Sequence, residues 1–125
     1  MAREKTKTIE KTLTHQTQLR LFLGRLPGEG LTRFRVQLEH HVVDEWQQIV
    51  GSDHNPTAET GHDVTVEGVH LDVYRDGKRV DRKRLFESTT PENALSIADD
   101  HSKKNYEWYG RDYRQWLKNQ TGSGP

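Results

Sequence analysis

The sequence predicts an α+β domain: an antiparallel sheet of about four to five strands with a long C-terminal helix packed on one face. Three observations carry this expectation. Apolar and polar residues alternate through residues 19–23 and again through residues 33–39. The dipeptide Asp76-Gly77 separates two strand-like runs, as a two-residue hairpin turn requires. The run Thr90-Pro91-Glu92 opens a helix, and the residues after it repeat at helical spacing.

Taken in order, residues 1–7 read as a flexible N-terminal arm and residues 8–118 as a single domain. Residues 8–18 fit a strand or a helix. Leu19, Leu21 and Leu23 alternate with Arg20, Phe22 and Gly24, which favours a strand. Pro27-Gly28-Glu29-Gly30 is a turn by composition. In the next strand Phe34, Val36 and Leu38 face one way, and Arg33, Arg35, Gln37 and Glu39 the other. A short connection through Val43, Asp44 and Glu45 leads to a return strand ending near Val50.

Residues 51–63 read as a histidine-bearing loop, rich in Gly, Ser, Asp, Asn and Pro. Residues 64–74 follow as a strand bulged at Gly68. An uninterrupted hairpin at Asp76-Gly77 would pair Val73 with Val80, Asp72 with Asp81, and His70 with Lys83. In that register two carboxylates oppose each other, with Arg79 and Lys83 as diagonal compensation. Thr90 is the expected N-cap of the helix and Pro91 its first residue. Leu95, Ala98, Ser102, Tyr106, Tyr109, Tyr113 and Trp116 form one helical stripe, which Gly110 is expected to divide. Trp108 lies off that stripe and is expected to be exposed. Residues 119–125 read as a flexible tail.

Composition narrows the function classes. The chain of 125 residues is 30% hydrophobic, roughly 38% with glycine included, against roughly 45–50% for ordinary domains. Its mean hydropathy is −1.03. The core is therefore expected to be small. Three Trp, four Tyr and three Phe argue against wholesale disorder. With no cysteine there is no disulfide framework and no thiolate metal site. No signal peptide or membrane span is predicted, so a soluble, cytoplasmic protein is expected.

Net charge is zero but unevenly spread. Residues 1–35 carry eight bases and three acids, and residues 73–125 carry eleven bases and eight acids. Residues 36–72 carry eight acids and no Lys or Arg, and hold five of the seven histidines.

His54, His62 and His70 in this base-free segment are the candidate catalytic residues. Neutral imidazoles suit acid–base work near pH 7, and also divalent metals. Their spacing matches no ligand signature, and no metal site is assigned. Asp63 and Asp72 would orient or bind. Arg75 would hold an anion, and Tyr74, Arg75 and Arg79 could contact nucleic acid. Trp108 completes the candidate binding set. Plainer roles compete with each of these. Asp53 and His54 can fold a loop by local hydrogen bonds, a basic edge strand is ordinarily a solvated face, and helical aromatics are ordinarily core.

The segment DHNP…GHDVT-x-EG-x-H-x-DVYRDG resembles an uncharacterised family of short prokaryotic, largely haloarchaeal proteins, a domain of unknown function. The resemblance spans residues 17–76, including QLRLFLGRLP and TRFRVQLEHH. It implies a single small domain and no known activity. The neutral charge departs from the acidic habit of such proteins.

Three classes fit these readings. The first is a non-catalytic binding module acting through a protein or nucleic-acid partner, for which an exposed apolar patch near Trp108 or the N-terminal strand is expected. The second is a small His-based hydrolase or nuclease of the toxin kind, for which the three histidines should converge on one point. The third is a metal-stabilised structural domain. Self-association is compatible with a lean core, and no cofactor is assigned.

Overall fold

A computed structural model of the chain describes residues 3–121. Six strands, β1 (Lys5–Thr14), β2 (Thr17–Leu26), β3 (Gly30–Val42), β4 (Glu45–His54), β5 (Val69–Arg75) and β6 (Lys78–Phe86), form one antiparallel sheet in sequence order. A one-turn helix, α1 (Val64–Glu67), precedes β5, and a 31-residue helix, α2 (Pro91–Thr121), follows β6. The class is α+β, as expected, with more strands than anticipated. The additional strand is β1, which takes in Lys5, Thr6 and Lys7 of the expected arm and settles residues 8–14 as strand. Met1, Ala2 and residues 122–125 of the expected arm and tail lie outside the described residues, while residues 119–121 continue α2.

Register explains the core. Leu19, Leu21 and Leu23 of β2 pair with Leu38, Val36 and Phe34 of β3. Val50 of β4 pairs with Leu38 on one side and Val73 of β5 on the other. These residues therefore share one face, and α2 lies across it, chiefly against β3 and β4. Leu19, Leu38, Ile49 and Leu71 are fully buried there, each contributing about 1.5–3 kcal/mol of burial. From the helix, Ala94, Ala98, Tyr109 and Tyr113 complete the cluster. The predicted stripe faces the core, with Ala98, Ser102, Tyr109 and Tyr113 buried and Leu95, Tyr106 and Trp116 partly so. Gly110 does not interrupt it, because the helix is continuous through that position.

The start of α2 is built as its sequence suggests. Thr90 Oγ1 accepts from Asn93 N at 3.2 Å. Glu92 Oε1 accepts from Leu31 N at 3.0 Å, fastening the helix to the start of β3.

Three local expectations are corrected. The segment 51–54 is strand, not loop: Gly51, Ser52 and Asp53 pair with Gln37, Val36 and Arg35. Residues 64–67 are helical, not strand. Asp63 caps that turn, its Oδ1 accepting from Thr65 N at 2.9 Å, and Gly68 ends it at φ 82°. Local capping overrides the β propensity of Val64, Thr65 and Val66. Finally, Asp76 and Gly77 adopt φ 56° and 78° as a type I′ turn requires, but the ladder shifts register at Val80. Val73 then pairs with Asp81, Asp72 with Arg82, and His70 with Arg84. The expected carboxylate pair is replaced by an ion pair.

Candidate functional site

Two regions carry side chains with chemical potential. The first is a corner around α1. Asn55 N donates to His62 O at 2.8 Å, closing the loop and returning the chain to the end of β4. Gly61 allows this closure, since a Cβ there would lie 1.7 Å from the Asn55 carbonyl oxygen. His54, only 3% exposed, points into the core face and stacks on Phe34 at 6.0 Å. Its Nδ1 accepts from Val64 N at 3.1 Å, so its proton sits on Nε2. Burial pushes its pKa down. This histidine satisfies one of the unpaired N–H groups at the start of α1.

His62 and His70 meet. Their ring centroids are 4.5 Å apart. His62 Nε2 donates to Gly68 O at 2.7 Å, and its Nδ1 lies 3.3 Å from Glu67 Oε2. Glu67 also accepts from Asp63 N at 2.9 Å, and that bond, followed by the nearby His62, holds its carboxyl below the usual range. His70 Nδ1 is buried without a hydrogen-bond partner. Burial, then the neighbouring His62 and Arg82, lower the His70 pKa, so the ring is neutral at pH 7. A neutral imidazole beside a second imidazole and a carboxylate can exchange protons. The three histidines are not one constellation, however. His54 faces the helix side of the sheet, while His70 shares the opposite face with Asp72 and Tyr74. Among the described residues no group of three or more His, Asp or Glu is placed to hold a metal ion.

On that opposite face a polar ladder crosses the strands. Gln18 Nε2 donates to Glu39 Oε1 at 2.7 Å, and Arg35 Nε to Gln37 Oε1 at 3.0 Å. Arg35 lies 5.7 Å from the Tyr74 ring centroid. Asp72, 4% exposed, accepts from Arg82 Nε at 2.7 Å and Nη2 at 3.2 Å.

The second region is a groove of about 400 Å³ between α2 and the β5–β6 hairpin. Trp108 and Trp116 stand on its helical wall, Val80 and Lys83 on its strand wall. Trp108 is 52% exposed, as its place off the buried stripe predicts, and Val80 is exposed beside it. Lys83 Nζ lies 5.1 Å from the Trp108 centroid and 5.4 Å from that of Tyr109, in cation–π range. Tyr109 is hydrogen-bonded at its hydroxyl to His101 Nε2, 2.7 Å away.

Arg75 is enclosed at the groove floor. It donates to Asp112 Oδ2 at 2.9 Å and to Tyr74 O at 2.8 Å, and covers the Tyr113 ring at 5.2 Å. Its guanidinium is engaged within the fold, which leaves it little to offer an incoming anion. Arg79, by contrast, is exposed opposite Tyr74. Along β6 every residue except Leu85 is exposed.

Sequence reasoning missed the part played by Lys83. An unbulged hairpin sets it beside His70, on the far face from the helix. The extra residue at Val80 moves Asp81 and Lys83 to the helix side, since a one-residue slip exchanges faces. No signal in the sequence marks that bulge.

The fold and these two regions define a class: a six-stranded antiparallel meander closed on one face by a single helix, with a polar histidine corner and an aromatic–cationic groove. Residues 2–119 match the domain of unknown function DUF7718, and the chain belongs to that family. No curated protein and no solved structure matches it. None of the described helices is long and apolar enough to cross a membrane.

Proposed function

We propose that the protein is a small non-catalytic binding module whose recognition surface is the groove between α2 and the β5–β6 hairpin. One observation supports this above the rest. The exposed Trp108 ring, the apolar Val80 and the Lys83 ammonium over that ring line one groove whose size suits one inserted group of a partner. Tryptophan is among the residues most enriched at the energetic hot spots of recognition surfaces. The test uses wild-type protein and a Trp108→Ala/Lys83→Gln variant as baits in an extract of source cells. Captured proteins are identified by mass spectrometry and captured nucleic acids by sequencing. A species held by wild type and lost from an equally stable variant is the expected result. Identical capture by both would remove the groove from consideration.

A second reading, a His-based hydrolase or nuclease, draws on the ring contact of His62 with His70 and the unpartnered His70 Nδ1. It expects hydrolysis of RNA or DNA that His70→Ala abolishes and Trp108→Ala leaves intact. His54, seated in the core, would then act only by shaping the corner.

A further inference from the structure

The groove and the strand beside it have complementary chemistry. Trp108 meets Tyr109 edge to face, at 5.2 Å and 86°, and is half exposed to solvent. Lys83 lies over that ring, pairing a cation with a stacking surface. Lys78 shares the groove side of β6 with Lys83 and the acidic Asp81, while Arg79 and Arg84 stand on the other side of this exposed edge strand, paired with Tyr74 and His70. Arg82 contributes less, being held by Asp72.

On the helical rim Gln115 Nε2 donates to Asn119 Oδ1 at 3.0 Å. That leaves the Gln115 oxygen as an acceptor and the Asn119 amide as a donor on the rim of the groove.

We infer that the groove binds single-stranded nucleic acid, one base entering against Trp108 while the phosphates follow the open edge of β6, where Lys78 and Lys83 reach them from the groove side and Arg79 and Arg84 from the other. This rests on the binding-module reading and names its partner. Stacking on an aromatic ring combined with a basic track is how single strands are held without a duplex. A groove of about 400 Å³ accommodates one splayed base, and paired bases in a double helix are not available to enter it. An acidic peptide would use the same cations, and competition by polyglutamate separates the two occupants.

The experiment titrates the full chain with fluorescein-labelled oligothymidine and mixed-sequence RNA of about 20 nucleotides, with a duplex of equal length as competitor. Tryptophan quenching and anisotropy are followed at several salt concentrations. Single strands are expected to bind and quench, and the duplex to compete poorly. Trp108→Ala is expected to weaken binding about 5- to 150-fold. A Lys78→Gln/Arg79→Gln/Arg84→Gln variant is expected to flatten the slope of log K against log salt by about 2. These sites are exposed, and an unchanged melting curve verifies the fold of each variant.

Absence of single-strand binding at low salt overturns the inference. So does binding that Trp108→Ala and Lys83→Gln leave unchanged, or displacement of the strand by polyglutamate as readily as by unlabelled strand. Should the capture experiment still find a groove-dependent protein, the inference fails while the binding module stands. Loss of groove-dependent capture altogether fails both.

Discussion

Asp72 carries a nearly enclosed carboxylate on the helix-free face of β5, and Arg82 holds it through two nitrogen donors. A bidentate pair of this kind satisfies the fork of the guanidinium and both carboxylate oxygens. Removing Arg82 would strand a buried charge rather than merely delete an attraction. Arg82→Ala is therefore expected to destabilise the fold by about 1–3 kcal/mol, the low side of a buried pair because Arg82 itself is partly exposed. The Asp72→Ala/Arg82→Ala double variant should cost less than the two single changes added together. Urea denaturation of the four proteins reads the difference, and strict additivity would show that the pair contributes nothing. At this same scale His54 and Arg75 have been recast. Both are candidate site residues by composition, yet one caps α1 from the core and the other is bound to Asp112 and Tyr74.

Helix α2 holds together for reasons that lie along its whole length. Its buried side takes small residues at Ala94, Ala98 and Ser102, then aromatic ones at Tyr109 and Tyr113. Gly110 sits between them, close to His40, which stands edge-on to Tyr113 at 5.8 Å. Glycine in a helix interior costs about 1 kcal/mol relative to alanine. A methyl group at Gly110 would meet Arg114 Nη1 at 3.3 Å and His40 Nδ1 at 3.8 Å, and the first of these is the end of a flexible side chain. Gly110→Ala is expected to raise stability by about 0.5–1 kcal/mol, seen as a higher midpoint in thermal melting. A lowered midpoint would mean that His40 or the backbone, not Arg114, has to move.

The β5–β6 hairpin shows the limit of element-level reading. Its turn is evident in Asp76-Gly77, while the bulge at Val80 leaves no mark. The α1 turn is a similar case. Three β-prone residues become helical because Asp63, Glu67 and the His54 ring, ten residues before Val64, satisfy its first N–H groups.

Across the molecule, four histidines have their pKa lowered, His40, His54, His70 and His101, in each case chiefly by burial. In the unfolded chain these rings titrate near 6.5, and in the native state they take up a proton only at lower pH. Between the two values the unfolded state binds more protons, so stability rises with pH there. Their contribution is complete above about pH 6.5 and is lost as pH falls through the native values, at up to about 1.4 kcal/mol per pH unit for each ring. Glu4, Asp63, Glu67 and Glu92 are also lowered, mainly by hydrogen bonds, so acid weakens the fold again below about pH 4.5. The melting temperature is expected to hold from pH 7.5 to about 6.5 and to fall from there to pH 5. A flat profile over that interval would show that these rings gain their protons without opposing the fold.

Local chemistry alone settled the class of the fold and the order of most of its elements. Alternation marked β2 and β3, Asp76-Gly77 marked a turn, Thr90-Pro91 marked the start of α2, and helical spacing separated its buried stripe from Trp108. These signals act between residues close in the chain, which is why they can be read there. Pairings between distant residues depended on tertiary structure. β1 became a strand because β2 offered it an edge, Lys5 to Arg25 through Thr14 to Thr17. His62 reached His70 because the 55–62 loop closed on its own backbone. Lys83 reached Trp108 because one bulged residue turned residues 81–84 of β6 over. Side-chain direction in a strand reverses with every residue, so the faces of β6 follow from its register and not from its composition.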